Sequence, residues 1–468
     1  MKRLSALLPA LALACATARP PSPQAGAPAS ESKAEAPADG LRGPIDALAA
    51  PLVKDGWLKG VAIGVVRPQG NELFFYGSAD AQGNPVGPET LFEIGSLSKA
   101  FTSVLLAEMA GRGEVRLDEP VAALLPGARI PSRDGAPITL EHLATHSSGL
   151  PRMPDNFAPA NPSNPYADYT VENMLAFLAS HELSRSPGGA AEYSNLAVGL
   201  LGHALATRAG KPYEQLVHER ICTPLGMEET AVTLTEEQLT RFAAGFDADG
   251  GPAAHWDIPT FAAAGALRST APDLLVFLRA NLGLVESPLG PVLAETHRPR
   301  RKMDAANEMA LGWMRNPENG IVWHNGQTGG FHSFFAFQKE EGVGVVVLAN
   351  AGTPLVDQLG SAVLRMLRGK PYALKLRSVV ELPAETLERY VGAYALGKDV
   401  QLTIELSGAG LRARVTGQPA FGIYPESETA FFYRVVPARL VFELDEGDRV
   451  TGLKLEQNGA STPARRLP

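Results

Sequence analysis

The chain has 468 residues, which at roughly 100–200 residues per domain gives room for two to four domains. Its 42 Lys and Arg against 50 Asp and Glu leave a net charge of −8, so it lacks the basic footprint of a nucleic-acid-binding surface. With 2 cysteines it is neither a disulfide-stapled scaffold nor a cysteine-built zinc protein.

Residues 1–15, MKRLSALLPALALAC, place Lys2 and Arg3 ahead of an apolar run too short to span a bilayer. That is the layout of an export signal. It ends at Ala14-Cys15, where a lipoprotein signal is cleaved and the cysteine acylated. Ordinary cleavage with loss of Cys15 is the alternative. An exported, periplasmic chain is expected, held to a membrane by a lipid on Cys15 in the first case. Residues 16–40 are rich in Pro, Ala, Ser and Gly without hydrophobic period, and read as a disordered tether.

Residues 41–372 are expected to hold the chemistry. In LFEIGSLSKAFTSVLLAEMAGRGEV (91–115), Leu97, Phe101, Val104, Leu105 and Met109 recur at helical spacing, and Gly111 and Gly113 end the pattern. The spacing predicts Ser96 at the N-terminus of a helix with one buried face. Lys99 follows one turn on, along the same side. A backbone N–H at that end, with the helix dipole behind it, can stabilise an oxyanion. A serine hydroxyl is a weak nucleophile unless a neighbour handles its proton, and Lys99 is placed to do so. A bare Ser-x-x-Lys arises by chance about once in a chain of this composition, and alone it equally fits a helix cap beside a solvated lysine.

Next, PGGAAEYSNLAVGLLG (187–202) sets Tyr193-Ser194-Asn195 between loop residues and an apolar helical run. IVWHNGQTGGFHSFFAF (321–337) carries His324-Asn325-Gly326 and then Gln327, with Gly326 allowing close approach to a strand backbone. GVGVVVLAN (342–350) reads as a buried strand. Cys222, in the apolar ICTPLGM, reads as a small core residue. His142 and His146 stand four apart, as helical metal ligands can, but no third ligand of suitable spacing accompanies them, and no metal or cofactor is expected. The four tryptophans read as core or pocket wall, with Trp323 placed to line the pocket beside His324. No Gly-x-Ser-x-Gly nucleophile elbow is present.

From about residue 376 the texture changes. VQLTIEL (400–406) alternates with period two, and short strands follow at 411–415, 430–436, 439–444 and 449–456. They predict a small antiparallel barrel or sandwich over 376–468.

FEIGSLSK resembles the active-site signature of class C β-lactamases. Tyr193-Ser194-Asn195 and HNGQTGGF follow in the order of that family's second and third elements. GEVRLDEPVAALLPGARIP (113–131), ITLEHLATHSSGLPR (138–152), ICTPLGMEET (221–230) and AGALRSTAPDLLVF (264–277) are similar to the same branch of serine β-lactamase-type hydrolases and DD-peptidases. The resemblance runs over roughly residues 45–370. It implies an α/β (α+β) fold of the β-lactamase/transpeptidase type, in which an antiparallel sheet flanked by helices faces a helical subdomain across the site. It also implies roles. Ser96 attacks a carbonyl, Lys99 and Tyr193 handle its proton, and Asn195 bonds Lys99 and the substrate amide. The N–H groups of Ser96 and Gln327 hold the oxyanion, and His324, Asn325 and Gly326 bind substrate from the strand. The implied substrate is a small β-lactam or a D-Ala-D-Ala-like peptidoglycan peptide, most as in a class C β-lactamase. The alternatives are a D-alanyl-D-alanine carboxypeptidase/endopeptidase, a promiscuous carboxylesterase and a non-catalytic peptidoglycan-binding protein.

One departure stands out: His324 occupies the place of the lysine of β-lactamases. That cation helps to hold a substrate carboxylate, and an unperturbed histidine titrates near ~6.5. Activity on carboxylate-bearing substrates is therefore expected to weaken as His324 deprotonates. LERYVGAY (387–394) resembles the start of the lipocalin-like domain often appended to serine hydrolases, for which an accessory or oligomerisation role is the default.

Overall fold

The computed structural model describes residues 40–468, apart from Lys375, Ala409, Pro437 and Asn458. The expected export signal, Cys15, and the tether except Gly40 lie outside the described residues. The chain divides into two compact units, one ending at Ala373 and one formed by Leu374–Pro468.

The larger unit begins with helix α1 (Arg42–Lys54) and the hairpin β1 (Gly60–Arg67) and β2 (Gly70–Gly77). The helical half follows and contains α2 (Ser98–Gly111), α3 (Asn195–Ala209) and α4 (Ala271–Leu282). The chain then returns to the sheet as β3 (Val322–Gln327), β4 (His332–Gln338) and β5 (Val343–Ala349), and closes on α5 (Leu355–Leu367). The order across the sheet is β2-β1-β5-β4-β3, continued by three two-residue strands at Met314–Arg315, Glu308–Met309 and Arg301–Lys302. The central pairs are antiparallel, with Ile63 opposite Val347 and His324 opposite Phe335.

β1 and β5 are apolar runs without alternation because helices cover both faces of the sheet. Phe334 points to one face, against Gly360 of α5. Phe335 points to the other and packs on Phe277 of α4, ring centres 5.7 Å apart. This parity decides which residues of β3 reach the site.

α2 differs from the expected one-sided helix: every residue from Ser98 to Met109 is buried. A helix buried all round is surrounded by protein on every side. Its polar residues are therefore satisfied internally. Ser98 donates to the Gly95 carbonyl (2.8 Å), and Thr102 donates to the Ala263 carbonyl (2.7 Å). Cys222 is buried here as well, and burial pushes its thiol up to about 12, outside the range of a nucleophile.

The smaller unit is a closed eight-stranded barrel whose strands pair in sequence order and whose first and last strands join. Three of its strands, Gly392–Ala395, Ala420–Pro425 and Ala460–Arg466, are additional to those expected. Tyr390 and Tyr394, four apart in LERYVGAY, fill its interior against Phe442 and Phe431.

Candidate active site

The site forms where α2, the start of α3 and β3 converge. A short helical turn, Gly95–Leu97, leads into α2 and carries Ser96, which is partly exposed. Lys99 is fully buried, and its Nζ donates to Ser96 Oγ at 2.8 Å and to the Ala264 carbonyl at 2.6 Å. The same Nζ lies 4.9 Å from the centre of the Tyr193 ring. The arrangement can activate a hydroxyl: Oγ touches one titratable group, and that group lies beside the ring of a phenol.

Tyr193 is positioned by the residues around it. Ser194 caps α3 by accepting from Ala197 N–H (2.9 Å) and donates its hydroxyl to the Pro151 carbonyl (2.6 Å). The Arg152 carbonyl accepts N–H bonds from Asn195 (3.0 Å) and Leu196 (3.3 Å). Ser194 N–H donates to His146 Nδ1 at 3.1 Å, which fixes the neutral tautomer with its proton on Nε2. His146 itself is held at φ 56°, a costly conformation for a buried non-glycine residue. Its ring lies 4.5 Å from that of Tyr193, and burial, with Lys99 nearby, holds its pKa well below the ordinary value. The turn 146–152 is thus the rack on which Tyr193-Ser194-Asn195 hangs. His142 serves elsewhere and completes a capping box with Thr139.

Asn195 departs from its expected role. Its Nδ2 faces the Tyr166 hydroxyl (3.4 Å) and Met153 Sδ (3.8 Å), and its Oδ1 is buried without a partner, so it makes no bond to Lys99. The reason is geometric: Lys99 is drawn to the Ala264 carbonyl. The orphaned Oδ1 leaves Asn195 an acceptor for an incoming amide N–H.

β3 supplies the other wall. His324 and Gly326 share the face toward Ser96, whereas Trp323, Asn325 and Gln327 point to the α5 face. Asn325 is therefore not brought into the cleft: its amide donates to Asp357 Oδ2 (2.8 Å), whose Oδ1 pairs with His332 Nε2 (2.7 Å). Trp323 likewise leaves the pocket, donating to Asn307 Oδ1 (3.3 Å) and stacking near Phe334. Gln327 sends its side chain to the Gly352 carbonyl (3.2 Å), and its backbone faces Gly95. The interlock depends on two glycines. A Cβ on Gly326 would lie 2.0 Å from the Ile94 carbonyl oxygen and 2.7 Å from Ser96 N, and one on Gly95 would lie 2.7 Å from Gln327 N. The backbone of the Ser96 turn and that of Gly326–Gln327 are thus held in close contact.

His324 corrects the expectation most directly. It is fully buried, 6.3 Å from Tyr193 ring to ring, with Nδ1 2.5 Å from the Asn325 carbonyl. Burial, aided by the Lys99 charge, pushes its pKa down to about 3. It is a neutral imidazole at pH 5.5 already, so it does not switch a substrate-holding charge near neutrality. A histidine NMR titration is expected to show no His324 ionisation between pH 5 and 8; a midpoint in that window contradicts the burial.

Glu93, of the FEIGSLSK run, also bears on the site. It is only 3% exposed, accepts Trp256 N–H (2.8 Å) and lies 3.9 Å from Arg268. Burial raises its carboxyl from 4.5 to about 7. Below 4.5 it is protonated in both folded and unfolded chains; from there to about 7 the unfolded chain ionises first. Stability therefore falls as pH rises through this window, by about 3 kcal/mol. Glu93→Gln removes the titration while keeping an acceptor for Trp256. Its Tm relative to wild type is expected to climb across that window and then level off. A pH-independent difference contradicts the assignment.

Comparison with known proteins follows the same lines. Residues 45–369 match the family model described as Beta-lactamase. This chain belongs to the Beta-lactamase family. Residues 376–464 match a separate model, described as Domain of unknown function (DUF3471). A Beta-lactamase of Pseudomonas fluorescens is 27% identical over 357 residues, 69% of this chain and 97% of that protein. The D-alanyl-D-alanine-carboxypeptidase/endopeptidase AmpH of Escherichia coli K12 is 30% identical over 341 residues, 67% of this chain and 86% of its own. Among solved structures, a D-alanine carboxypeptidase AmpC from Burkholderia cenocepacia superposes with a TM-score of 0.60 at 26% identity, over 71% of this chain and 99% of that one. Relatives named as β-lactamases and as carboxypeptidases thus share the Beta-lactamase-family unit.

Proposed function

We propose that this Beta-lactamase-family chain is a serine hydrolase that forms an acyl-enzyme at Ser96 on β-lactam or D-Ala-D-Ala-like amides, most like a class C β-lactamase. The observation that carries the reading is the 2.8 Å contact between Lys99 Nζ and Ser96 Oγ in a buried site, with Tyr193 beside it. Ser96 Oγ attacks the carbonyl carbon, and its proton passes into the Lys99–Tyr193 pair. The N–H groups of Ser96 and Gln327 take the oxyanion. As the tetrahedral intermediate collapses, the leaving nitrogen is protonated from the same pair, and water then releases the acyl group. Asn195 positions the substrate amide through its unpartnered Oδ1. His324 and Gly326 shape the wall, His324 as an uncharged group.

The D-alanyl-D-alanine carboxypeptidase/endopeptidase reading shares every step up to acylation, and differs in how fast the acyl-enzyme is released. A time course with a fluorescent penicillin separates the readings, with Ser96→Ala as control. Rapid labelling and release is expected of a β-lactamase. Stable labelling reassigns the chain to a peptidase, and no labelling with turnover of a p-nitrophenyl ester reassigns it to an esterase. We also read the N-terminal segment as an export signal with Cys15 as lipid acceptor. Loss of radiolabelled lipid in Cys15→Ser tests this.

A further inference from the structure

Among the described residues, Met109, Met174, Met227, Met309, Met314 and Met366 are buried, which leaves Met153 and Met303 as the partly exposed thioethers. Met303 sits in the turn between the strands Arg301–Lys302 and Glu308–Met309. Met153 lies against the site. Two donors point at its Sδ: Asn195 Nδ2 at 3.8 Å and the Tyr166 hydroxyl at 3.9 Å.

The backbone keeps this group together. The Arg152 carbonyl, one residue before Met153, accepts the N–H groups of Asn195 (3.0 Å) and Leu196 (3.3 Å). Pro154, the residue after, is buried and has a fixed φ. The Tyr166 ring is backed in turn by Phe157 and Trp256, with ring centres 5.1 and 5.4 Å away. Resting on the serine-hydrolase reading, we propose that Met153 is a redox-modification site. A peroxide converts its thioether to a sulfoxide, and this disturbs the Asn195 amide and slows acyl transfer until the sulfoxide is reduced.

The chemistry balances. A sulfur lone pair attacks the peroxide and its O–O bond breaks. One oxygen stays on Sδ and the other leaves as water; sulfur loses two electrons and the peroxide gains them. The product replaces a weak sulfur acceptor by a polar, strongly accepting oxygen. Asn195 Nδ2 and the Tyr166 hydroxyl are the donors already aimed there, so the new oxygen competes for both. It also adds an atom to a packed contact, which has to be absorbed by movement of a neighbour. Either response shifts the amide whose unpartnered Oδ1 is left for the substrate N–H.

The test treats the full chain with hydrogen peroxide and maps the added oxygen by peptide mass spectrometry. It then measures kcat/KM on the penicillin and the p-nitrophenyl ester, each variant against its own untreated sample. Wild type is expected to take one oxygen on Met153 and to lose roughly tenfold or more, the scale of a misplaced hydrogen bond to substrate. Circular dichroism should show the oxidised chain still folded. Methionine sulfoxide reductases with dithiothreitol should restore the activity as the oxygen leaves Met153. Met153→Leu should keep its activity through the treatment, whereas Met303→Leu should lose it as wild type does. Full oxidation of Met153 without loss, a loss that Met153→Leu shares, or a loss matched by unfolding overturns the proposal. Failure of untreated wild type to turn over either substrate is a separate result, and it overturns the serine-hydrolase reading beneath.

Discussion

Ser96→Ala is expected to lower kcat/KM on any substrate the chain turns over by at least about 10⁴-fold, the scale seen when a nucleophile acting within a catalytic group is removed. The size follows from the geometry. Ser96 Oγ is the hydroxyl that Lys99 Nζ contacts (2.8 Å), and it sits on the turn packed against the Gly326–Gln327 backbone. Water in its place would lose both the fixed position and the activated oxygen. The fold should be indifferent. Ser96 is partly exposed, and Lys99 keeps its 2.6 Å bond to the Ala264 carbonyl. An unchanged Tm with lost activity therefore isolates chemistry from folding. Retention of a tenth or more of wild-type kcat/KM contradicts the assignment.

Gly326→Ala is the second large effect, expected at about 10³-fold in kcat, the scale of losing one oxyanion donor. The added methyl would meet backbone, 2.0 Å from the Ile94 oxygen and 2.7 Å from Ser96 N. Neither atom belongs to a flexible side chain, so β3 and the Ser96 turn must separate. That moves the Ser96 and Gln327 N–H groups apart. It also strains the 2.8 Å bond from Ser333 Oγ to the Ile94 carbonyl, so a lower Tm accompanies the loss. KM should change less than kcat, because an oxyanion forms only in the transition state. A variant with normal kcat would mean that the two segments are not required in contact.

Much of this was legible in the sequence, and the failures have physical causes. FEIGSLSK, Tyr193-Ser194-Asn195 and HNGQTGGF name the three segments that meet, because each pairs a chemical group with the local element that presents it. The period-two rule places Asn325 and Trp323 on the α5 face once β3 is a strand, yet the family resemblance of the triplet suggested a substrate role for Asn325, and adjacency to His324 a pocket position for Trp323. The charge of His324 followed its ordinary pKa, whereas burial, which sequence does not report, decides it. The left-handed backbone at His146 has no sequence signature, since glycine or asparagine is the usual occupant. In the barrel, VQLTIEL announces itself by alternation. ASTPARR does not, with Pro463 and two arginines, and it becomes a strand only because its neighbours close the barrel around it. Met153 reads as one more loop methionine until the turn that carries it is seen to hold the start of α3.

The proposed function turns on Ser96 carrying the acyl group. The decisive experiment acid-quenches the full chain during reaction with a penicillin and, separately, with a p-nitrophenyl ester, then maps the adduct by peptide mass spectrometry. One acyl adduct per chain is expected with at least one of the two, located on the peptide that contains Ser96 and absent from Ser96→Ala. An adduct on another residue, or turnover by Ser96→Ala at the wild-type rate, would contradict that assignment.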